Sequence, residues 1–167
     1  NNSGTLFKIE KSTGTYTAVW SFVSGGGAVS GDLAVDASGN IWGTDFMHVF
    51  KFVPGSSTFT YVFTNETISI PQQTVTVGTL FKTVAGEIRF LGSEGTKDLA
   101  APNNNFICYR AVIYQINTTT NAVTKVRSLM EGVAGTSDAV VLTPAGGLYE
   151  HTDGRFYGLS QSGGTNE

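Results

Sequence analysis

The side chains that could carry acid–base or metal chemistry are few in this sequence and lie far apart. There are two histidines, His48 and His151, and they lack the His-x-x-x-His spacing of many zinc sites. Glu150 adjoins His151, but neighbouring residues of a strand point to opposite faces, so the two do not form an acid–base pair. The Gly-x-Ser-x-Gly signature of a serine nucleophile is also missing from the sequence. We therefore predict no catalytic residue.

Two aspartates adjoin glycine turns and are the remaining candidates for a metal site. A calcium loop needs several oxygen ligands at alternating positions, and the segment 36–40 offers few besides Asp36, while Asp153 has fewer neighbours still. We expect both carboxylates to accept hydrogen bonds from their own turns, and we predict no metal and no cofactor. The single cysteine, Cys108, excludes an intrachain disulfide and is expected to be a small buried side chain.

Composition narrows the class of partner and the compartment. Charged residues make up only 14% of the chain and its net charge is −3, which disfavours binding to nucleic acid. No run of about 18 apolar residues is present, so we predict no membrane insertion. A sequence rich in Thr, Ser, Asn and Gly is typical of secreted proteins, and we expect an extracellular or cell-surface segment without its targeting signal. Asn65 and Asn117 match the glycosylation acceptor motif, which arises easily by chance here.

The chain that must position these side chains is organised as hairpins. Period-two, β-rich runs flank turns rich in Gly, Ser or Asn, and no stretch has a helical period. Six hairpins are predicted, with strands at 5–10 and 16–22, 32–36 and 40–44, 49–53 and 59–63, 79–83 and 88–92, 112–116 and 122–127, and 147–151 and 155–159. The predicted fold is all-β.

The hairpins alternate between a long-turn type and a type with a Gly turn followed by a short strand. The Gly turns at Gly39, Gly86 and Gly154 are 47 and 68 residues apart, which is the spacing of β-propeller blades with insertions. Two hairpins make one four-stranded blade. We predict a single propeller-like unit of about three blades: 31–68, 69–132 with an inserted loop at 93–105, and a blade split between 133–167 and 1–30.

Three short motifs make this interpretation more specific. They are Gly-Arg-Phe-Tyr-Gly at 154–158, Gly-Gly-Thr-Asn at 163–166 and Gly-Thr-Leu-Phe-Lys-Ile at 4–9, and 49–52 is similar to the last. Together they resemble the Gloeobacter/Verrucomicrobia-type tandem repeat of bacterial secreted and surface proteins. The resemblance extends to residues 4–22, 33–53 and 146–164 in motif. It implies propeller-like blades at a cell surface, and it implies no defined chemical activity.

The split blade leads to a prediction about assembly. Closing a propeller takes at least about four blades, and unpaired strand edges pair readily with other chains. We expect the chain to join other copies of itself or adjacent repeats, as a closed ring, as a fibre or within a tandem array. The predicted interface consists of Thr5, Leu6, Phe7, Ile9, Phe156, Tyr157 and Leu159.

The aromatic residues leave an alternative open. Most are expected to pack between blades, but an aromatic side chain on a loop face would stack on a glycan, a peptide or a surface polymer. Trp20, Trp42 and Tyr149 are the candidates. A glycosidase or lyase is a remote further alternative, because the thirteen acidic residues are dispersed and form no motif. The leading prediction is an extracellular structural or interaction module that is not an enzyme.

Overall fold

A computed structural model of the chain describes residues 2–23, 32–45, 47–64, 67–69, 72–97, 106–128 and 148–158. Within these ranges every regular element is a strand, as the all-β prediction requires. The strands are β1 (Asn2–Ile9), β2 (Tyr16–Val23), β3 (Ala34–Val35), β4 (Ile41–Thr44), β5 (His48–Val53), β6 (Thr58–Thr64), β7 (Thr67–Ser69), β8 (Gln72–Lys82), β9 (Ile88–Lys97), β10 (Phe106–Ile116), β11 (Val123–Ser128), β12 (Tyr149–Glu150) and β13 (Phe156–Tyr157).

All strand pairs are antiparallel and fall into four sheets. Sheet A contains β3-β4-β5-β6 in that order, and sheet B contains β11-β10-β9-β8-β7. The other two sheets are single hairpins, which we call hairpin N (β1–β2) and hairpin C (β12–β13). The six predicted hairpins are confirmed, and β7 with β8 adds one that the sequence did not indicate.

The three Gly turns have one common geometry. In each, the first residue donates its N–H to the C=O four residues later, and the glycine donates its N–H back to the first residue. The glycines have φ near +80°, a region that costs L-residues strain and that glycine adopts freely. The turns begin at Asp36, Thr83 and His151, and their glycines are Gly39 (φ 80°), Gly86 (φ 84°) and Gly154 (φ 80°).

The long-turn hairpins also share one geometry. Each has a positive φ at the last turn residue, namely Gly14 (70°), Ser57 (54°) and Asn121 (62°). Each also has a register shift at the same place, which leaves one valine of the second strand as a bulge: Val19, Val62 and Val126. These two landmarks align the three hairpins residue by residue, so that Phe7, Phe50 and Tyr114 are equivalent positions.

Sheets A and B join their two hairpin types in the same register. In sheet A, Ile41 lies opposite Phe52, Trp42 opposite Lys51 and Gly43 opposite Phe50. In sheet B the pairs are Ile88–Ile116, Arg89–Gln115 and Phe90–Tyr114, counted from the equivalent turn glycine. The contact between β4 and β5 is therefore repeated between β9 and β10.

Three apolar clusters stack these sheets in chain order. Leu6 and Phe22 of hairpin N pack on Phe50 and Phe52 of sheet A. The opposite face of sheet A carries Ala34, Trp42 and Val49, which pack on sheet B through a cluster that includes Leu80, Phe90, Tyr114 and Ile116. The far face of sheet B contacts hairpin C through Phe81, Leu91 and Ile113. Hairpins N and C thus cover opposite ends of the stack.

The strands of sheet B are longer than predicted. β8 begins at Gln72, and β9 continues to Lys97, so the first residues of the predicted loop at 93–105 are strand. Their backbone groups pair with β8 and with the start of β10. Polar residues such as Ser93 and Thr96 give no alternating apolar signal, and neighbouring strands determine their conformation instead.

Candidate functional site

Hairpin N exposes an apolar face that its two equivalents bury. Phe7 is 51% exposed, whereas the equivalent Phe50 is fully buried. Ile9 and Tyr16 are also exposed, and the rings of Phe7 and Tyr16 lie 5.2 Å apart. In sheets A and B the matching side chains are covered by the sheet that precedes them in the stack. The exposed face of hairpin N is therefore a packing surface without its neighbour among the described residues.

The edge of β1 is unpaired in the same way. β5 and β10 each have a strand on both sides, β4 and β6 in one case and β9 and β11 in the other. Within the described residues β1 pairs with β2 alone. An edge of this kind presents unsatisfied N–H and C=O groups to another strand.

Hairpin C has one packed face and one exposed face. Phe156 packs edge-on against Phe81, with ring centroids 5.8 Å apart, and the Arg89 guanidinium lies 5.9 Å from the Phe156 ring. Tyr149, which is 69% exposed, and Tyr157 point away from sheet B. Among the described residues, β13 pairs only with β12.

The Tyr157 side chain is fixed although it is exposed. Its hydroxyl donates to Asp153 Oδ2 at 2.8 Å. Asp153 Oδ1 also accepts the Arg155 N–H at 2.9 Å, and these bonds hold the pKa of the Asp153 carboxyl below its ordinary value. The turn therefore orients an aromatic ring beside the free edge of β13.

The predicted interface residues divide into three groups. Phe7, Ile9 and Tyr157 are exposed at the two free edges. Leu6 is already buried against sheet A, and its place in the predicted interface stays a prediction. Phe156 is half-buried because it packs on sheet B, and Thr5 is half-buried as well. Leu159 lies outside the described residues.

The three aromatic candidates for ligand stacking also differ. Trp42 is fully buried and donates its Nε1–H to Asp36 Oδ2 at 2.9 Å. Trp20 stacks face to face on Phe59 at 4.2 Å, which occupies one side of its ring. Tyr149, at 69% exposed, is more exposed than Trp20, at 39%, and it lies on the free face of hairpin C.

Asp36 accepts hydrogen bonds from its own turn, as predicted. Its Oδ1 accepts the N–H groups of Ser38 and Asn40, both at 2.9 Å, and its Oδ2 accepts the Asn40 Nδ2–H at 2.8 Å. Burial raises the pKa of Asp36, but the hydrogen bonds, led by that of Trp42, outweigh it and leave the pKa below its ordinary value. Both oxygens of the Asp36 carboxylate therefore accept hydrogen bonds that stabilise the turn.

A second buried aspartate, which the sequence did not indicate, organises the connection between β4 and β5. Asp45 Oδ1 accepts the His48 N–H at 2.7 Å and the Met47 N–H at 3.1 Å, and it lies 2.9 Å from His48 Nδ1. Burial, the Asp45 charge and a hydrogen bond to Asp45 raise the pKa of Tyr61. With so many donors around one carboxylate, Asp45 stabilises the connection. The Asp-x-x-His spacing is its only signal in the sequence.

The part of the chain that the structure describes holds no group of three or more His, Cys, Asp and Glu side chains arranged around one metal position. It likewise contains no helix of the length and hydropathy needed to cross a bilayer.

No family model, no curated protein and no solved structure matches the chain.

Proposed function

We propose that the chain is an extracellular structural or interaction module built from propeller-like blades, one of which is completed by a neighbouring copy. In this proposal sheets A and B are complete blades. Hairpin C is the first half of a further blade, and hairpin N is the second half. The resemblance of residues 4–9 and 154–158 to a tandem repeat of bacterial surface proteins supports the blade assignment and the extracellular setting.

The observation that carries the proposal is the opposite burial of equivalent side chains. Phe7 and Phe50 are the same residue type at the same place in the same kind of hairpin, and among the described residues only Phe50 has a preceding sheet to pack on. The same holds for the β1 edge, whose equivalents in sheets A and B are paired on both sides. Within the part of the chain that the structure describes, hairpin N therefore lacks a Gly-turn hairpin beside β1, and hairpin C is a hairpin of that type.

Completing the blade would bury the apolar face of hairpin N and give hydrogen-bond partners to the backbone N–H and C=O groups at the edge of β1. Full burial of a large apolar side chain contributes about 1.5–3 kcal/mol, so burying the exposed half of Phe7 contributes about 1–1.5 kcal/mol. Each ladder hydrogen bond adds about 0.5–1.5 kcal/mol. Association driven by these two terms is the mechanism we propose.

The test is the solution mass of the purified chain. Sedimentation velocity should give species heavier than the 17.7 kDa monomer, in a concentration-dependent manner. Phe7→Ser should weaken association about tenfold, since that factor corresponds to about 1.4 kcal/mol. Val84→Ser is the matched control, because Val84 is 72% exposed at the turn between β8 and β9 and belongs to neither free edge. Its backbone N–H donates to Glu150 of hairpin C, a bond that this side-chain substitution keeps, so the variant should assemble as the wild type does. A chain that stays monomeric at millimolar concentration would refute the proposal.

A further inference from the structure

The register in which the split blade closes can be read from sheets A and B. In both sheets the strand after the Gly turn pairs with the first strand of the long-turn hairpin in one fixed register. β13 is the equivalent of β4 and β9, and β1 is the equivalent of β5 and β10. We propose that β13 of one copy pairs with β1 of a second copy of this chain so that Phe156 lies opposite Ile9, Tyr157 opposite Lys8 and Gly158 opposite Phe7. This inference rests on the proposed function and specifies its partner.

The pair of Gly158 and Phe7 is the first reason to name a second copy as the partner. In sheet A the Phe50 ring lies directly over Gly43, where a Cβ atom would come within 2.9 Å of Phe50 Cε1. The chain repeats this combination with Gly158 on one free edge and Phe7 on the other. A half-exposed phenylalanine and a glycine without a side chain are thus complementary shapes carried by one sequence.

The neighbouring pair, Tyr157 and Lys8, repeats a second contact of sheet A. There the Lys51 ammonium group lies 5.2 Å from the centre of the Trp42 ring. A lysine held over an aromatic face is attracted by the negative charge of that face. Lys8 of the second copy would lie over Tyr157, whose ring is already oriented by its bond to Asp153.

Two exposed residues away from the free edges give independent support. Leu33 is 53% exposed, while the equivalent Leu80 is fully buried against sheet A. Val126 is exposed as well, although the equivalent Val62 packs on sheet B. In the proposed register, Tyr149 and Tyr157 of the first copy would cover Leu33 of the second, and Phe7 and Ile9 of the second would cover Val126 of the first. The second copy thus accounts for exposed apolar residues on both sides of the joint.

The experiment is disulfide cross-linking between two variants that carry Cys108→Ser and one introduced cysteine each, so that every chain has a single cysteine. Lys8→Cys and Tyr157→Cys chains are mixed under a mild oxidant and separated on non-reducing gels. Directly opposite residues of antiparallel strands have Cβ atoms about 4.5–5.5 Å apart, close enough for a disulfide after a small adjustment. The matched control is Lys8→Cys mixed with Arg155→Cys, a pair displaced by two residues along the edge. Each variant alone and the wild type, which retains Cys108, measure the background.

We expect a cross-linked dimer in the Lys8→Cys and Tyr157→Cys mixture, at least tenfold more abundant than in the displaced pair. Sedimentation of the reduced chains runs in parallel. If the reduced chains associate but the displaced pair cross-links equally well, the register is wrong and the proposed function stands. If the reduced chains do not associate at all, the proposed function and the register both fall. Gly158→Val is a second test that leaves the edges free of cysteine, and it should reduce association at least tenfold because its side chain occupies the place of the Phe7 ring.

Discussion

Replacing Asp36 by alanine should destabilise sheet A strongly, because one carboxylate joins the Gly turn to the interior. It accepts four hydrogen bonds between 2.8 and 2.9 Å, from Ser38, Asn40 twice and Trp42. Trp42 is fully buried, so its indole N–H loses a buried acceptor when the carboxylate is removed. The turn N–H groups are closer to solvent and regain water.

The expected loss of stability follows from the burial of the Trp42 N–H and from the solvent access of the turn N–H groups. A buried donor left without its acceptor costs about 1–3 kcal/mol, and each turn hydrogen bond that water replaces costs about 0.5–1 kcal/mol. We expect Asp36→Ala to lower the free energy of unfolding by about 3 kcal/mol. With a urea dependence of about 2 kcal/mol per molar, the denaturation midpoint should fall by about 1.5 M.

Asp36→Asn separates the turn from the indole bond. Its amide oxygen still accepts the Ser38 and Asn40 N–H groups, whereas its NH₂ group faces the Trp42 N–H, which is also a donor. The loss should therefore be intermediate between those of the wild type and Asp36→Ala. Urea denaturation followed by Trp fluorescence measures all three chains.

The pH dependence has a definite sign. The folded-state pKa of Asp36 lies below its ordinary value of 3.8, so the ionised carboxylate contributes fully above about pH 4. Its contribution is lost as the pH falls through the folded-state pKa. The stability difference between wild type and Asp36→Asn should be constant from about pH 5 to pH 7 and should shrink below about pH 4. A loss under about 0.5 kcal/mol for Asp36→Ala, or a difference that does not change with acid, would show that this carboxylate does not hold the turn.

Three further substitutions can be measured by the same urea assay. Gly43→Val should cost about 1–3 kcal/mol by overpacking, since a Cβ at Gly43 meets the Phe50 ring, and Phe50→Leu in the same chain should restore part of the loss. Tyr114→Phe should cost about 1.5 kcal/mol, because the Tyr114 hydroxyl donates to Glu94 Oε1 at 2.6 Å. Ser57→Gly should raise stability by about 0.5 kcal/mol, since it relieves a φ of 54° at a non-glycine residue, and a decrease would contradict that reasoning.

The hairpins could be predicted from the sequence because their turns are determined locally. Gly39, Gly86 and Gly154 mark left-handed turn positions, and the flanking apolar residues alternate with the period of a strand. Long-range pairing is a different matter. The largely polar segments 73–76 and 93–96 are strand because they pair with each other across β8 and β9. Neither segment has that signal when it is read alone.

Most aromatic residues are expected to pack between blades, but alternation along β4 alone does not identify Trp42 as one of them. Sheet A is covered on both faces, by hairpin N on one and sheet B on the other, so both Ile41 and Trp42 face apolar neighbours. Alternation distinguishes a buried face from a solvated one only when one face is solvated. The cluster of Asp45, His48 and Tyr61 was missed because β5–β6 pairing brings Tyr61 to a carboxylate sixteen positions earlier in the sequence.

Comparison of the equivalent hairpins also distinguishes a strand edge that faces solvent from one whose neighbouring strand is absent among the described residues. Charged side chains on the outer strand of a sheet hinder its pairing with another chain. β11, the outer strand of sheet B, carries exposed Lys125 and Arg127. The free edges of β1 and β13 instead carry Phe7 and Tyr157, at positions whose equivalents in sheet A are buried. Phe7 is exposed and its equivalent Phe50 is buried, although both lie at the same position of the same kind of hairpin. The difference is that hairpin N covers Phe50, whereas no described sheet covers Phe7. For that reason we propose that assembly covers the apolar surface at both ends of the stack.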